Sequence, residues 1–140
     1  MKDYSTDGTK RILVVESESE LSPFISRVLT SKAIKVDVVD NGEMAEKMLR
    51  ERDYSLCIID LVTLMAKDKK LYQYMSEKYP KLLTRALFTA GGVVDGDAKV
   101  FMAQTGRLFL HKPFAPEWLK EIVSKSLSSS RQIADKQEVW

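Results

Sequence analysis

The sequence is poor in the features that would place the protein outside the cytosol or on nucleic acid. It has a single cysteine, Cys57, which excludes an internal disulfide and suits a reducing compartment. The net charge is only +2 and no long basic run is present, so charge gives no support for direct binding to nucleic acid or to a membrane. The longest apolar runs are as long as a strand and well short of a membrane span.

The N-terminus, MKDYSTDGTK, lacks the apolar core of a signal peptide, so we expect a cytoplasmic location. A length of 140 residues suits one domain with its own hydrophobic core. We expect residues 1–9 to be disordered, residues 10–128 to form the domain, and residues 129–140 to be a polar tail or an extension of the last helix.

Short apolar runs alternate along the chain with segments of helical periodicity. Five runs predict strands: Ile12–Val15, Lys35–Asp40, Ser55–Asp60, Arg85–Ala90 and Leu108–Lys112. Between them apolar residues recur at helical spacing, as at Leu21, Phe24, Ile25, Val28 and Leu29. This alternation predicts an α/β fold, in which a parallel five-stranded sheet carries five helices on its two faces.

The segment between the third and fourth strands is predicted to contain a loop and then one helix. Residues 61–69 have mixed character and are predicted to be the loop. Leu71 and Met75 mark the helix, and we expect Pro80 to end it, because proline has no backbone N–H to continue the hydrogen-bond ladder.

Polar side chains stand where the predicted strands end. Glu16 follows the first strand, and Asp60, Thr89 and Lys112 lie at the ends of the third, fourth and fifth. In parallel sheets ligands bind outside the carboxyl ends of the strands, so these groups are expected to converge. A carboxylate can act as a nucleophile toward phosphorus, and a lysine, a hydroxyl and a magnesium ion can neutralise the phosphoryl oxygens.

Four stretches carry these groups: ILVVESE, YSLCIIDL, LFTAG and LFLHKPF. Their order and spacing resemble the receiver domain of two-component response regulators, over roughly Lys10 to Ser128. The resemblance implies a flavodoxin-like, doubly wound sheet of order 2-1-3-4-5. It also implies a phosphoacceptor rather than an enzyme, with at most self-catalysed phosphotransfer and dephosphorylation. The stretch GGVVDGDAKVFMAQTGRLFLHKPF is similar to the receivers of hybrid sensor histidine kinases.

The resemblance also implies roles for individual residues. Asp60 matches the phosphoacceptor, and Lys112 matches the lysine that contacts the phosphoryl group. Thr89 and Phe109 match the hydroxyl and the aromatic residue of the family's switch. The Lys112–Pro113 bond matches a cis peptide, a state that proline makes accessible.

The resemblance implies a Mg²⁺ site formed by Glu16, Asp60 and Val62. The family usually has two adjacent acids after the first strand, whereas here Ser17 follows Glu16. Serine is a poor ligand for an ion that dehydrates reluctantly, so a weakened magnesium site is expected. The Met-Pro pair that commonly follows the phosphoacceptor is also absent, because Thr63 and Leu64 stand in its place.

Simpler roles stay open for several of these residues. Asp60 could form a turn or cap a helix, and Glu16 and Glu18, or the serines beside them, could cap the first helix. Phe109 could be core packing alone. His111 is predicted to point away from the site, because side chains alternate along a strand.

Two functions of different classes follow. The first is a phosphorelay receiver, which accepts a phosphoryl group from a histidine kinase or phosphotransfer protein and switches a face, Asp97 to Phe114, that an unknown downstream protein binds. The second is a pseudo-receiver, which binds a partner without being phosphorylated. A flavodoxin-like cofactor binder is disfavoured, because acids stand where a phosphate-cradling loop would follow the first strand.

Overall fold

The computed structural model describes residues 8–91, 96–105 and 109–135. The strands are β1 (Lys10–Val15), β2 (Ile34–Val39), β3 (Leu56–Asp60), β4 (Leu87–Ala90) and β5 (Phe109–His111). The helices are α1 (Leu21–Leu29), α2 (Gly42–Glu51), α3 (Leu61–Lys78), α4 (Pro80–Arg85), α5 (Gly96–Thr105) and α6 (Pro116–Asp135). The strands form one parallel sheet of order β2-β1-β3-β4-β5, which confirms the predicted topology.

Four predicted segments fall partly outside the described ranges, and one of them is the face predicted to switch, Asp97 to Phe114, of which residues 106–108 lie outside. Residues 1–7 of the predicted disordered N-terminus lie outside them, as do Leu108, predicted to open the fifth strand, and residues 136–140 of the predicted tail. α6 continues past residue 128 as far as Asp135.

The hydrophobic core lies on both faces of the sheet, because the strands at its centre are buried on both sides. On one face Ile12, Val14 and Ile58 pack against side chains of α1 and α6, among them Ile25 and Leu119. The opposite face carries the strand side chains that alternate with them, which are Leu13, Val15, Cys57 and Ile59. They pack against side chains of α2, α3, α4 and α5, namely Ala45, Leu64, Leu71, Leu82 and Phe101. Helices therefore lie on both faces of the sheet.

The segment after β3 was predicted to be a loop, and this prediction is wrong at its start. The helix begins at Leu61, directly after β3, because Leu61 and Leu64 bury their side chains in the core. The helical backbone breaks from Ala66 to Lys69, where three successive non-glycine residues have a positive φ: Lys67, Asp68 and Lys69. Left-handed backbone is unfavourable for such residues, so this turn is strained.

Pro80 was predicted only to end a helix, yet it also begins one. α3 ends at Lys78, and Pro80 occupies the first turn of α4, where its missing N–H costs little. The described ranges therefore contain six helices rather than the predicted five. Arg85 belongs to the end of α4 and not to the fourth strand, which begins at Leu87.

The described backbone shows two further local features. The side chain of Asn41 accepts a hydrogen bond from the backbone N–H of Met44 and caps α2. The Lys112–Pro113 peptide bond is cis. None of the helices in the described ranges combines the length and apolar character that a membrane span needs.

Candidate functional site

The polar groups at the strand ends meet at the carboxyl edge of the sheet. β1 and β3 are neighbours, which places Glu16 beside Asp60, and β4 follows with Thr89 paired to Asp60 in register. Lys112 follows β5 and stays attached to the sheet, because its backbone N–H donates to the carbonyl of Ala90 over 2.8 Å. The parallel register thus brings the four predicted residues to one edge.

Lys112 is the centre of this cluster. Its Nζ donates to Glu16 Oε2 over 2.9 Å and to Asp60 Oδ1 over 3.3 Å, and it lies 3.5 Å from Glu18 Oε1. Glu16 is 1% exposed and Asp60 is 3% exposed, so two buried carboxylates share one ammonium group. Such a group of charges is stable only when each charge keeps a partner of opposite sign.

Asp60 makes contacts that fit a site better than a helix cap. It occupies the position before α3, but its side chain forms no capping hydrogen bond. Its Oδ2 instead accepts a hydrogen bond from Ser17 Oγ over 2.8 Å and a longer one from Thr63 Oγ1 over 3.4 Å. Ser17 therefore lies where it can influence the ligand chemistry of Asp60.

The acidic loop after β1 does not cap α1 with its side chains. The residue before α1 is Glu20, and its carboxylate forms no capping bond. Glu16 Oε2 accepts from the backbone N–H of Glu18 over 3.0 Å, and the Glu18 carboxylate extends toward Lys112. The capping role that the sequence left open for Glu16 and Glu18 is therefore not the one observed.

Thr89 and Phe109 lie beneath the edge. Thr89 is 1% exposed, and its Oγ1 has no hydrogen-bond partner among the described residues. A buried hydroxyl without a hydrogen-bond partner is uncommon, and it indicates that a group from outside the described residues supplies the missing hydrogen bond. Phe109 packs into the core, with its ring centroid 5.4 Å from that of Phe88 and 6.5 Å from that of Phe101.

Two further residues that the sequence singled out lie away from this cluster. His111 is exposed, and Lys112 beside it is the residue that reaches the carboxylates. Cys57 is fully buried in β3, and burial strongly raises the pKa of its thiol, which makes it unreactive.

Gly91 is a site residue that the sequence reasoning missed. The sequence predicted that the fourth strand ends at Ala90, directly before the pair Gly91-Gly92, and gave the glycine no part in the site. A Cβ atom at Gly91 would lie 3.2 Å from Cδ and 3.4 Å from Cβ of Lys112, so glycine lets the lysine side chain approach the edge. The signal available in the sequence was a glycine directly after a strand end, which can mark close approach as well as a turn.

Val62 lies at the open side of the site. It follows Asp60 by two residues in α3, and its side chain is 71% exposed. Val62, Asp60 and Lys112 line a cavity of about 580 Å³ at the carboxyl edge, together with Ser17 and Gly91. A ligand in this cavity would contact both carboxylate and ammonium groups.

Burial and ion pairing act in opposite directions on the charges of this cluster. Burial raises the pKa of Glu16, although the hydrogen bond from Lys112 partly offsets the effect. Burial also pulls the pKa of Lys112 downward, but its hydrogen bond to Glu16 and the charge of Asp60 outweigh burial and raise it. The lysine therefore stays charged at neutral pH, whereas burial disfavours the charged form of Glu16.

The raised pKa of Glu16 predicts how the Glu16→Gln variant responds to pH. Below the ordinary carboxyl pKa, wild type and variant both carry a neutral group there. As pH rises through the raised pKa of Glu16, wild type loses stability that the variant keeps. The unfolding free energy of the variant minus that of wild type, measured by urea denaturation between pH 4.5 and 8, should increase with pH.

Glu43→Gln is the matched control for this experiment. The hydrogen bond from Lys67 lowers the pKa of Glu43, so wild type gains stability there as pH rises and the variant does not. The stability difference should therefore change with pH in the opposite direction. The same trend in both variants would contradict a specific effect of burial on Glu16.

The side-chain oxygens at this edge are suitable ligands for Mg²⁺, but few of them are carboxylates. Within the described ranges, no three His, Cys, Asp or Glu side chains are grouped so that they could hold a metal ion. Mg²⁺ commonly binds through one or two carboxylates and keeps several waters, and Glu16 and Asp60 supply two. Glu16 Oε1 is buried and has no hydrogen-bond partner among the described residues, so it can accept a ligand.

The sheet order and the acid–lysine cluster at its carboxyl edge define a doubly wound α/β protein with its site at a topological switch point. The family model of the response regulator receiver domain matches residues 12–124. The chain therefore belongs to the receiver domain family of two-component response regulators.

Solved structures agree on the fold. A CheY-like response regulator receiver domain protein from Methanospirillum hungatei JF-1 is 17% identical, with a TM-score of 0.73, and the match covers 89% of this chain and 98% of that one. The signal receiver domain of an HD domain-containing protein from Pseudomonas fluorescens Pf-5 is 15% identical, with a TM-score of 0.75 and coverage of 96% and 98%.

NtrX from Brucella abortus, in complex with ADP, is 18% identical with a TM-score of 0.74. That match covers 94% of this chain but 30% of the NtrX chain. No curated protein matched the sequence. At these identities the likeness of the solved structures concerns the fold alone.

Proposed function

We propose that this receiver domain accepts a phosphoryl group on Asp60 from a histidine kinase or phosphotransfer protein in the cytoplasm. The observation that carries the proposal is the position of Lys112 Nζ, 3.3 Å from Asp60 Oδ1 at a buried edge that opens into a cavity. A carboxylate oxygen of Asp60 attacks phosphorus, and the bond between phosphorus and the donor's imidazole nitrogen breaks. The imidazole then takes up a proton.

Each residue of the edge has a part in this step. Lys112 neutralises charge on the phosphoryl oxygens, and Ser17, which donates to Asp60 Oδ2, holds the carboxylate in one orientation. Glu16, Asp60 and the backbone carbonyl of Val62 would hold Mg²⁺, which supplies positive charge against the phosphoryl oxygens when bound. With Ser17 in place of a second acid, we propose that this magnesium site is weak.

The phosphoryl group then changes the surroundings of Thr89 and Phe109. The unpartnered Thr89 hydroxyl turns toward the added oxygens and leaves space beneath it. Phe109, which packs against Phe88 and Phe101, fills that space differently and alters the face formed by α5 and β5. A downstream protein recognises this face, with no direct contact to nucleic acid or membrane.

The test uses a small phosphodonor, acetyl phosphate, with and without millimolar Mg²⁺. We expect the intact mass to increase by one phosphoryl group in wild type and not at all in Asp60→Asn. Beryllofluoride should shift the amide resonances of Thr89, Leu110 and the residues of α5. A mass increase that survives Asp60→Asn would place the acceptor elsewhere.

The pseudo-receiver is the second candidate, and the hydrogen bond from Ser17 to Asp60 favours it, because a serine that satisfies Asp60 also takes the place of a metal ligand. If neither acetyl phosphate nor beryllofluoride changes the protein at millimolar Mg²⁺, the phosphorelay proposal is wrong. The fold would then serve as an interaction module that does not depend on phosphorylation.

A further inference from the structure

A second cavity lies at the opposite end of the sheet from Asp60. It has a volume of about 380 Å³ and lies between the connection from α2 to β3 and the region of α4. Arg52, Asp53 and Tyr54 precede β3, whereas Asp60 ends it, so the strand separates the two sites by about 13 Å. We call this cavity the basic pocket, because four of the residues that line it are Arg52, Lys78, Lys81 and Arg85.

The positive charge of the basic pocket is poorly compensated. Among the described residues that line it, Asp53 is the one acidic residue. Arg52 Nη1 forms an ion pair with Asp37 Oδ2 over 3.0 Å. Within the described part of the chain, Lys78, Lys81 and Arg85 form no ion pair with a carboxylate. Three cations around one cavity favour an anion there, because the cavity walls concentrate their field.

Arg85 gives a second indication that a ligand is missing. Its Nε is buried and has no hydrogen-bond partner among the described residues. A buried donor of a charged group is costly when it stays without an acceptor. Guanidinium groups bind phosphate or carboxylate oxygens through paired N–H donors. An anion in the basic pocket can therefore accept hydrogen bonds from Arg85.

The aromatic walls of the basic pocket are held in place by their own hydrogen bonds. The Tyr79 hydroxyl donates to the carbonyl of Leu49 over 2.9 Å, and the Tyr54 hydroxyl donates to Asp37 Oδ2 over 2.8 Å. Both hydroxyls are thus engaged, and the rings, with Pro80 and Leu82, present apolar surface. A preformed cavity with apolar walls and a few charged groups is typical of small-molecule sites.

We propose that the basic pocket binds a small phosphate-bearing molecule, with the phosphate on Lys78, Lys81 and Arg85 and an apolar or aromatic part against the tyrosines. This site is separate from the phosphoacceptor and does not depend on the function proposed for Asp60. It offers the receiver a second input at the amino ends of the strands. A free phosphate and a nucleotide share the recognising chemistry, so the experiment must distinguish them.

The test is a titration of the ¹⁵N-labelled protein, followed by amide chemical shifts, with adenosine diphosphate, inorganic pyrophosphate and adenosine as separate probes. We expect adenosine diphosphate to shift Tyr54, Lys81 and Arg85 at millimolar concentration or below. Pyrophosphate should bind the same residues more weakly, because it lacks the part that contacts the rings. Asp60→Asn should bind adenosine diphosphate as wild type does.

The double variant Lys78→Ala/Lys81→Ala removes two exposed cations of the basic pocket, and we expect it to weaken adenosine diphosphate binding at least about tenfold. The matched control is Lys32→Ala/Lys120→Ala, which removes the same charge at exposed positions outside the pocket and should change binding less than twofold. Equal weakening in both variants would mean attraction by net charge alone and would overturn the proposal. So would the absence of shifts with both phosphate compounds, or binding of an acidic peptide in their place.

Discussion

Replacing Lys112 with methionine is expected to lower the free energy of unfolding by about 3–5 kcal/mol at neutral pH, because two buried carboxylates lose their shared cation. The Lys112 side chain is 10% exposed and pairs with Glu16 and Asp60, which are more deeply buried still. Methionine keeps most of the apolar stem of lysine, so the loss measures charge rather than packing.

The loss of unfolding free energy in Lys112→Met should become smaller as the pH falls. The pKa of Glu16 is already raised by burial, and the variant also removes the hydrogen bond from Lys112 that lowers it. The pKa of Glu16 in the variant is therefore higher still, and the destabilisation is present above that pKa and declines as pH falls through it. Urea denaturation at pH 5 and pH 7.5, followed by far-UV circular dichroism, measures both values.

Two further variants serve as a control and as a test of rescue for Lys112→Met. Lys125→Met removes a lysine whose side chain is 75% exposed and whose partner is Glu121 on the same helix, so its effect should stay within about 0.5 kcal/mol. Adding Glu16→Gln to Lys112→Met should restore more than half of the lost stability, because one of the two stranded charges is gone. A loss that is the same at both pH values would mean that the carboxylates do not depend on the lysine.

The topology could be predicted from the sequence because its signals are local and repeated. Five apolar runs separated by helical periodicity leave few arrangements for a parallel sheet, and the family resemblance then supplied the strand order. The errors fall between β3 and β4. There Leu61 and Leu64 are buried by tertiary packing that periodicity does not register, and Pro80 fits a helix start as well as a helix end.

The members of the site could be predicted more readily than their contacts. Glu16, Asp60 and Lys112 were predicted to lie at one edge because each follows or ends a strand, and the ends of parallel strands meet at the same edge of the sheet. The sequence could not indicate that Ser17 donates to Asp60, or that Gly91 makes room for the lysine. Those contacts depend on loop geometry and on side-chain rotamers, which no spacing rule encodes.

Replacing Ser17 with aspartate should tighten Mg²⁺ binding on the order of tenfold, because it adds a hard, charged oxygen ligand beside two carboxylates. Ser17 Oγ lies 2.8 Å from Asp60 Oδ2, so a carboxylate at this position lies within reach of any cation that Asp60 holds. Isothermal titration calorimetry with MgCl₂ compares the two affinities directly.

Ser17→Asp should also make stability dependent on magnesium. Without the ion, the new carboxylate replaces a hydrogen-bond donor to Asp60 with a like charge, so the unfolding free energy should fall by about 1–2 kcal/mol. Millimolar Mg²⁺ should reverse this loss, because an ion that binds the native state stabilises it in proportion to its saturation. Wild type, with its smaller donor set, should gain less from the same concentration.

Ser19→Asp is the matched control, because it places the same charge on the same exposed loop, outside the cavity that Ser17 lines with Asp60. Its Mg²⁺ affinity should stay within about twofold of wild type, since exposed charges beyond contact distance are screened. Equal tightening in both variants would indicate attraction by the loop as a whole. No tightening in Ser17→Asp would mean that residue 17 does not face the ion, and that the weak magnesium site proposed for this receiver has another cause.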